Sequence, residues 1–371
     1  MTMVAYFGEL GVALSDLLLT VDGKGRWPFL PSVGYPSREI RSLDFHVTRL
    51  VRKVARITHG GRTSLFLIAG TVRQVDRFLH DVELLKSGKL APAEHHPRMF
   101  PDQLESVLQS AAEHARDRGH FDIGLVGLHG EKTIAIPTLD ITVPYFGRVM
   151  LLGSGARAFG EWLEVIGADY ARKFDHDDET MKAYRISHYM TMQLLSADRM
   201  WPSRTLSVGV GGFYEVYLDF KGQLEPDNMT WVRVIAELGT RESDGIRLQA
   251  LWYHEYQGNN LVVMSALDLR LTVNGPALLP VELLRVDVFC PYGIQKLSPV
   301  PPLASELFAR VPRAKFQSLT LKEGPLGRNL LTAMDKRNGL IHIERQKDGL
   351  KLNWAAERFA ELRAAALTSI I

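Results

Sequence analysis

The chain opens on short apolar runs, Val4-Ala5-Tyr6-Phe7 and Val12-Ala13-Leu14, separated by a Gly-bearing turn, a pattern that predicts strands rather than a helix. Residues 1–7 read as a strand, Gly8-Glu9-Leu10-Gly11 as a short turn, and residues 12–16 as the returning strand. Residues 20–48, rich in Gly, Pro and Ser, read as a long loop. A second hairpin is expected over 50–58 and 63–69, turning at His59-Gly60-Gly61-Arg62. The pattern then changes. Val72, Val75, Leu79 and Val82 recur at helical spacing, with Thr71 as a candidate N-cap. Leu104, Val107, Leu108, Ala111 and Ala115 do the same after a Pro-bearing loop. Strands are expected again at 121–129, 132–137 and 148–152, the last running into Gly153-Ser154-Gly155. A helix carrying Phe159, Trp162, Leu163 and Ile166 follows, then one over about 179–198, and a strand pair over 205–220 with Gly211-Gly212 inside it.

Strand blocks separated by helix pairs predict an α+β fold. Two stacked sheets would be covered by helices on both outer faces, because each sheet needs an apolar cover. From about residue 223 the texture becomes β-rich, with strands expected at 229–238, 246–253, 260–273 and 281–290. Asp244-Gly245 and Asn274-Gly275 are turn signals between them. After the bend at Pro299-Val300-Pro301-Pro302 come a short helix, a hairpin about Asp348-Gly349 and a terminal helix from about Trp354. The division expected is therefore 1–222, with 20–48 as an inserted loop, and a β-rich region over 223–371.

At 371 residues the chain exceeds one typical domain. A formal net charge of +2 gives no general pull toward nucleic acid or an anionic membrane, so neither is an expected partner. No apolar run approaches the roughly 20 residues of a membrane span, and the first residues lack the order of a secretory signal. A cytoplasmic location is expected, with position 2 as the mature terminus once Met1 is trimmed. The single cysteine, Cys290, excludes an internal disulfide framework, and its neighbours Val286, Val288 and Phe289 predict a buried, inert thiol.

Folding the first hairpin about Glu9–Leu10 pairs residues whose numbers sum to about 18–19, which sets Thr2 across from Asp16. Without Met1, Thr2 carries a hydroxyl and a free α-amine beside a carboxylate, the equipment of an N-terminal-threonine nucleophile. Lys53 shares a strand face with Val51, Ala55 and Ile57, whereas Arg52 and Arg56 point the other way. Asp16 shares its face with Val12, Leu14 and Leu18. Burying either charge alone is costly, so the two are expected to meet. A purely structural ion pair would satisfy the same pattern. Beside Thr2 the pair gains a chemical use: Lys53 lowers the effective pKa of the hydroxyl, and Asp16 keeps Lys53 charged. The α-amine, with an ordinary pKa of about 7.7–8.0, receives and returns the proton. Gly153-Ser154-Gly155 is the candidate oxyanion donor, though glycine at such a junction also serves as punctuation or an anion nest.

Asp175-His176-Asp177-Asp178-Glu179 reads as a solvated helix start rather than a metal site. His95-His96 has no partner at ligand spacing, and His254 and Glu255 are expected to face solvent. No Walker loop, GxSxG elbow, HExxH or paired CxxC occurs, and no cofactor or metal is expected.

Taken in order, these segments resemble the proteasome-like N-terminal-nucleophile hydrolases, especially the bacterial Anbu-type β-subunit homologues. Thr2 matches the family's nucleophile, Val12-Ala13-Leu14-Ser15-Asp16 its second strand, and Val51-Arg52-Lys53-Val54 its lysine strand. Ile68-Ala69-Gly70-Thr71 is similar to its strand-to-helix junction and Leu152-Gly153-Ser154-Gly155-Ala156 to its GSG turn. Leu206-Ser207-Val208-Gly209 is similar to a late motif of the Anbu-type members, which makes Ser207 a supporting residue. The resemblance covers about residues 2–222 and implies a four-layer αββα sandwich and a homo-oligomeric ring or stack. The chain departs from the family in three ways. The Asp16-to-Lys53 spacing is about twice the usual one, Leu18 replaces an arginine, and Arg204 stands where an acidic residue is expected, Asp198 lying farther upstream. The expected function is a threonine-type amide hydrolase, a peptidase, using Thr2 with Asp16 and Lys53. The alternatives are a non-catalytic proteasome-like scaffold that binds a regulatory protein, and an amidase acting on a small molecule.

Overall fold

The computed structural model describes residues 3–92, 104–118, 124–129, 132–136, 139–174, 177–220, 223–238, 246–273, 276–292, 306–307, 309–323, 330–336, 339–355, 357, 360, 361 and 364. The chain is a mixed α+β protein with more strand than helix. Its first part contains β1 (Val4–Phe7), β2 (Val12–Asp16), β3 (Leu18–Asp22), α1 (Arg38–Arg41), β4 (Phe45–Leu50), β5 (Val54–His59) and β6 (Arg62–Ala69). Then come α2 (Val72–Lys86), α3 (Leu104–Asp117), β7 (Gly124–His129), β8 (Lys132–Ile136), β9 (Leu139–Val143) and β10 (Gly147–Leu152). α4 (Ala156–Phe174), α5 (Glu179–Met200), α6 (Pro202–Ser207), β11 (Tyr214–Phe220) and β12 (Gln223–Pro226) follow. The C-terminal region holds β13 (Trp231–Leu238), β14 (Ile246–Gln257), β15 (Asn260–Val273), β16 (Ala277–Pro280) and β17 (Arg285–Phe289). It ends with β18 (Phe316–Glu323), β19 (Leu330–Lys336), β20 (Ile341–Gln346) and β21 (Gly349–Trp354).

One antiparallel sheet has the order β12-β11-β2-β1-β10-β9, and a four-stranded sheet the order β5-β6-β7-β8. Alternation along β1 divides its side chains between two cores. Met3, Ala5 and Phe7 pack with Phe159, Leu163 and Tyr170 of α4 and Ile186 and Met190 of α5. Val4 and Tyr6 pack against Val54, Leu67 and Ala69 of the four-stranded sheet. The far face of that sheet, with Ala55, Ile57, Phe66 and Ile68, is covered by α2 and α3 through Val75, Phe78, Val107 and Leu108. Burial on both faces explains the apolar run of β1 and of Val12, Ala13 and Leu14 in β2, and makes Ser15 and Asp16 at its end stand out.

The C-terminal sheet runs β17-β15-β14-β13-β18-β19, with β13 and β18 parallel, and β16-β21-β20 form a separate small sheet. The two halves share a core: Ile235, Trp252 and Val263 join the same cluster as α4, α5 and the first sheet. α5 also carries buried polar groups, among them His188 and Asp198.

Several expected elements differ. The loop expected over 20–48 contains α1 and the ribbon β3–β4, which pair antiparallel. The strand expected over 50–58 is divided, so Lys53 precedes β5 instead of lying within it. The strand pair expected over 205–220 is α6 followed by β11, because Pro202 at the first turn starts a helix in spite of the β-branched residues after it. β9 was not expected. β12 extends the first sheet past residue 222. The strand expected over 281–290 is a 3-10 turn at Val281–Leu283 followed by β17. Trp354 closes β21, and Glu357, Ala360, Glu361 and Ala364 beyond it are helical. Among the described residues no helix is long and apolar enough to cross a membrane.

Candidate active site

The first hairpin sets the geometry. β1 and β2 pair Val4 with Ser15 and Phe7 with Val12, so partners sum to 19 throughout. Asp16 therefore stands opposite Met3, one place from the expected Thr2; Thr2 itself lies outside the described residues. Met3 N–H donates to Asp16 Oδ1 at 3.1 Å, and Asp16 N–H returns a bond to Met3 O at 3.0 Å. Asp16 is wholly buried, with Tyr214 of β11 beside it on its other flank.

Lys53 lies in the link between β4 and β5, where its carbonyl accepts from Ile68 N–H at 2.9 Å. Its Nζ donates to Leu18 O, two residues past Asp16. Burial lowers the pKa of this amine below its ordinary value, and the charge of Asp16 offsets part of that loss. The expected meeting of the two charges thus takes the form of electrostatic support, with a main-chain carbonyl as the amine's acceptor.

Lys53 borders a cleft of about 710 Å³. Leu19–Asp22 form one wall, Ala69, Gly70 and Thr71 another, and Gly153 and Ser154 a third. β10 ends at this third wall, and Gly153, with φ of 89°, turns the chain into α4 in a conformation that favours glycine. Gly155 is small for a different reason. A Cβ there would fall 2.8 Å from Val210 Cγ2, 3.0 Å from Gly209 O and 3.3 Å from Met3 Cβ. The GSG turn is thereby pressed against the start of β1. The strand-to-helix junction at Gly70-Thr71 faces the same cleft.

Other candidates fall elsewhere. Ser207 ends α6 on the surface, where its hydroxyl donates to Arg204 O at 2.8 Å, away from the cleft. Asp198 occupies the buried position instead. It accepts from Ser32 Oγ at 2.6 Å and from Tyr214 hydroxyl at 3.0 Å. Burial, opposed by these bonds, brings its pKa up to about 7. No local signal in the sequence marks it, since it reads there as an acid at the end of a mixed helix. Cys290 is buried, as its neighbours implied. Asp178 caps α5 by accepting from Met181 N–H at 3.0 Å, the role expected of an acidic helix start. His95-His96 lies outside the described residues.

His254 and Glu255, expected to face solvent, are buried on opposite faces of β14, a central strand of its sheet: His254 beside Phe213, and Glu255 beside Tyr253 and Arg310. Glu255 accepts from Tyr253 hydroxyl at 2.6 Å and pairs with Arg310. His254 belongs to a cluster with His188, Asp227 and Arg233. His188 Nε2 lies 2.9 Å from Asp227 Oδ2, its Nδ1 lies 2.7 Å from Arg233, and its ring stacks on Trp231 at 4.2 Å. Burial, with the Arg233 charge against the Asp227 contact, lowers the pKa of His188 to about 4; His254 is also lowered, first by burial. Both shifts favour the neutral imidazole at pH 7.

In the unfolded chain these histidines regain pKa values near 6.5 and bind protons that the fold excludes. Their stabilising contribution is full above pH 6.5 and is lost as pH falls toward 4. Asp198 works oppositely: its raised pKa gives a contribution present below about 3.8 and lost as pH rises to 7. Urea unfolding at a series of pH values checks this. His188→Gln should remove an acid-side loss of at most ~1.4 kcal/mol per pH unit relative to wild type. Parallel pH profiles for the two proteins would disprove it.

No protein-family model, curated protein or solved structure matches this chain.

Proposed function

We propose that the chain is a threonine-type amide hydrolase acting on peptides, with Thr2 as the nucleophile once Met1 is removed. The carrying observation is convergence: Asp16 and Lys53, separated by 37 positions, act on each other at one end of β1, where the GSG turn is packed against Met3. A purely structural ion pair would need neither the turn nor the cleft. The succession of α4 and α5, the β1-containing sheet, the β5–β8 sheet, and α2 and α3 supports a four-layer αββα sandwich of the N-terminal-nucleophile kind.

In this mechanism the Thr2 α-amine takes the proton from its own hydroxyl as Oγ attacks the substrate carbonyl carbon. Lys53 supplies positive charge that favours the alkoxide, and Asp16 keeps that charge in place against the cost of burial. Backbone N–H groups of the Gly153–Gly155 turn stabilise the tetrahedral oxyanion. Collapse breaks the C–N bond, and the α-ammonium returns its proton to the leaving amine. Water then attacks the resulting ester by the same proton route and frees the acid and Thr2. Among the described residues β3 pairs with β4, and Leu19–Asp22 border the cleft, so an extended peptide can be received alongside this ribbon.

Lys53→Ala should lower hydrolysis by roughly 10²–10³-fold, the range for removing one charge-stabilising group, and should also lower the melting temperature, because Asp16 is left buried without a cation and Leu18 O without its donor. Peptide-hydrolysis assays on the purified variant measure this, and unchanged turnover would remove Lys53 from the mechanism.

A further inference from the structure

Among the described residues, the C-terminal region reaches the cleft at Tyr292. Beyond β17, Cys290-Pro291-Tyr292 runs beside residues 52–54, with Arg52 and Pro291 forming a parallel bridge. Arg52 N–H donates to Cys290 O at 3.0 Å, and Tyr292 N–H lies 3.1 Å from Arg52 O and 3.0 Å from Val54 O. Lys53 is the residue at the middle of this strap. The Tyr292 hydroxyl lies 3.0 Å from both Val72 O and Asp76 Oδ1, which fixes the phenol against the first turn of α2. Burial and then Asp76 raise its pKa, so the hydroxyl stays protonated and able to donate. The ring packs with Val51 and Val75 and borders the cleft beside Lys53.

We propose that Tyr292 is a specificity-determining wall of the cleft, limiting the size of the apolar side chain that a bound peptide can set beside Lys53. This rests on the peptide-hydrolase reading of the same cleft. Leu19, Ile68, Val72 and Val75 supply aliphatic surface there. A phenol pinned at both its main chain and its hydroxyl cannot swing aside as a free side chain would. The subsite therefore takes an aliphatic side chain of leucine size and excludes an aromatic one. The β-rich region, in this view, completes the substrate site and is more than an appendage.

The test uses N-acetylated tetrapeptide amides that differ at one position, Ala, Leu, Phe or Trp. Their binding to the full chain carrying Thr2→Ala is followed by calorimetry, and their hydrolysis by the chain with Thr2 intact. Leu should bind about 10-fold more tightly than Trp. Tyr292→Ala should erase or invert that order, whereas Tyr292→Phe, which keeps the ring, should preserve it. Tyr292→Trp, which adds bulk, should move the preference to Ala and serves if Tyr292→Ala does not fold. An unchanged order in folded Tyr292 variants, or no binding by any of the peptides, overturns the proposal. An order that depends on Tyr292 without Thr2-dependent hydrolysis would instead sink the hydrolase reading and leave the subsite standing. Thr2-dependent hydrolysis with an order indifferent to Tyr292 would do the reverse.

Discussion

Thr2→Ala is expected to lower peptide hydrolysis by about 10³-fold or more while the melting temperature stays at its wild-type value. The size of the loss follows from the role: without the hydroxyl no ester forms, and only binding and oxyanion contributions remain. The unchanged stability follows from where the core begins. Met3 and Val4 are wholly buried, and Met3 N–H already holds Asp16, so the anchoring of β1 starts after Thr2. Thr2→Ser, which keeps both hydroxyl and amine, should retain measurable turnover. Intact mass of the untagged protein provides the companion measurement, because the amine can act as a base only if Met1 has been removed. Active protein that still carries Met1, or turnover that survives in Thr2→Ala, would rule out the nucleophile.

The hairpin that presents this residue was readable because its pattern is local. Short apolar runs in 4–7 and 12–14 set the strands, and the turn at Gly8–Gly11 set their pairing to within one place. That one place matters, since a sum of 19 puts Met3, and not Thr2, across from Asp16. Lys53 was readable as an inward cation on an apolar face, although the strand itself begins one residue later. Asp198 was harder to place. Its partners, Ser32 and Tyr214, lie 166 and 16 positions away, and nothing in the local pattern separates it from a solvated acid at a helix end. Ser207 is a different case. A short motif was carried by similarity, but Pro202 starts a helix there that turns the hydroxyl to the surface. Tyr292 and His254 depend on how the C-terminal sheet docks, a tertiary fact that no periodicity encodes.

Arg52→Ala should cost about 3–5 kcal/mol of stability. Arg52 is on the face opposite Lys53, and its side chain enters the seam between the first half and the C-terminal region. Its Nε lies 2.6 Å from Glu215 Oε1, the guanidinium also donates to Asn259 O, and it stacks 5.0 Å from the centre of the Tyr256 ring. Glu215 accepts further bonds from the hydroxyls of Tyr217 at 2.7 Å and Tyr256 at 2.9 Å. Burial opposes the charge of Arg52, yet Glu215 and these phenols hold its pKa above the ordinary value. Truncating Arg52 leaves the carboxylate of Glu215 enclosed with two neutral donors and no cation, which is why the loss exceeds the worth of the pair itself. Replacing both partners at once, as Arg52→Met with Glu215→Leu, should recover most of the loss, because neither charge is then stranded. Denaturant unfolding of the two singles and the double gives the coupling directly. Additive losses would mean the seam is held by packing alone. A large coupling, together with reduced turnover in Arg52→Ala, would mean the same segment that positions Lys53 is held in register by the C-terminal region through Arg52.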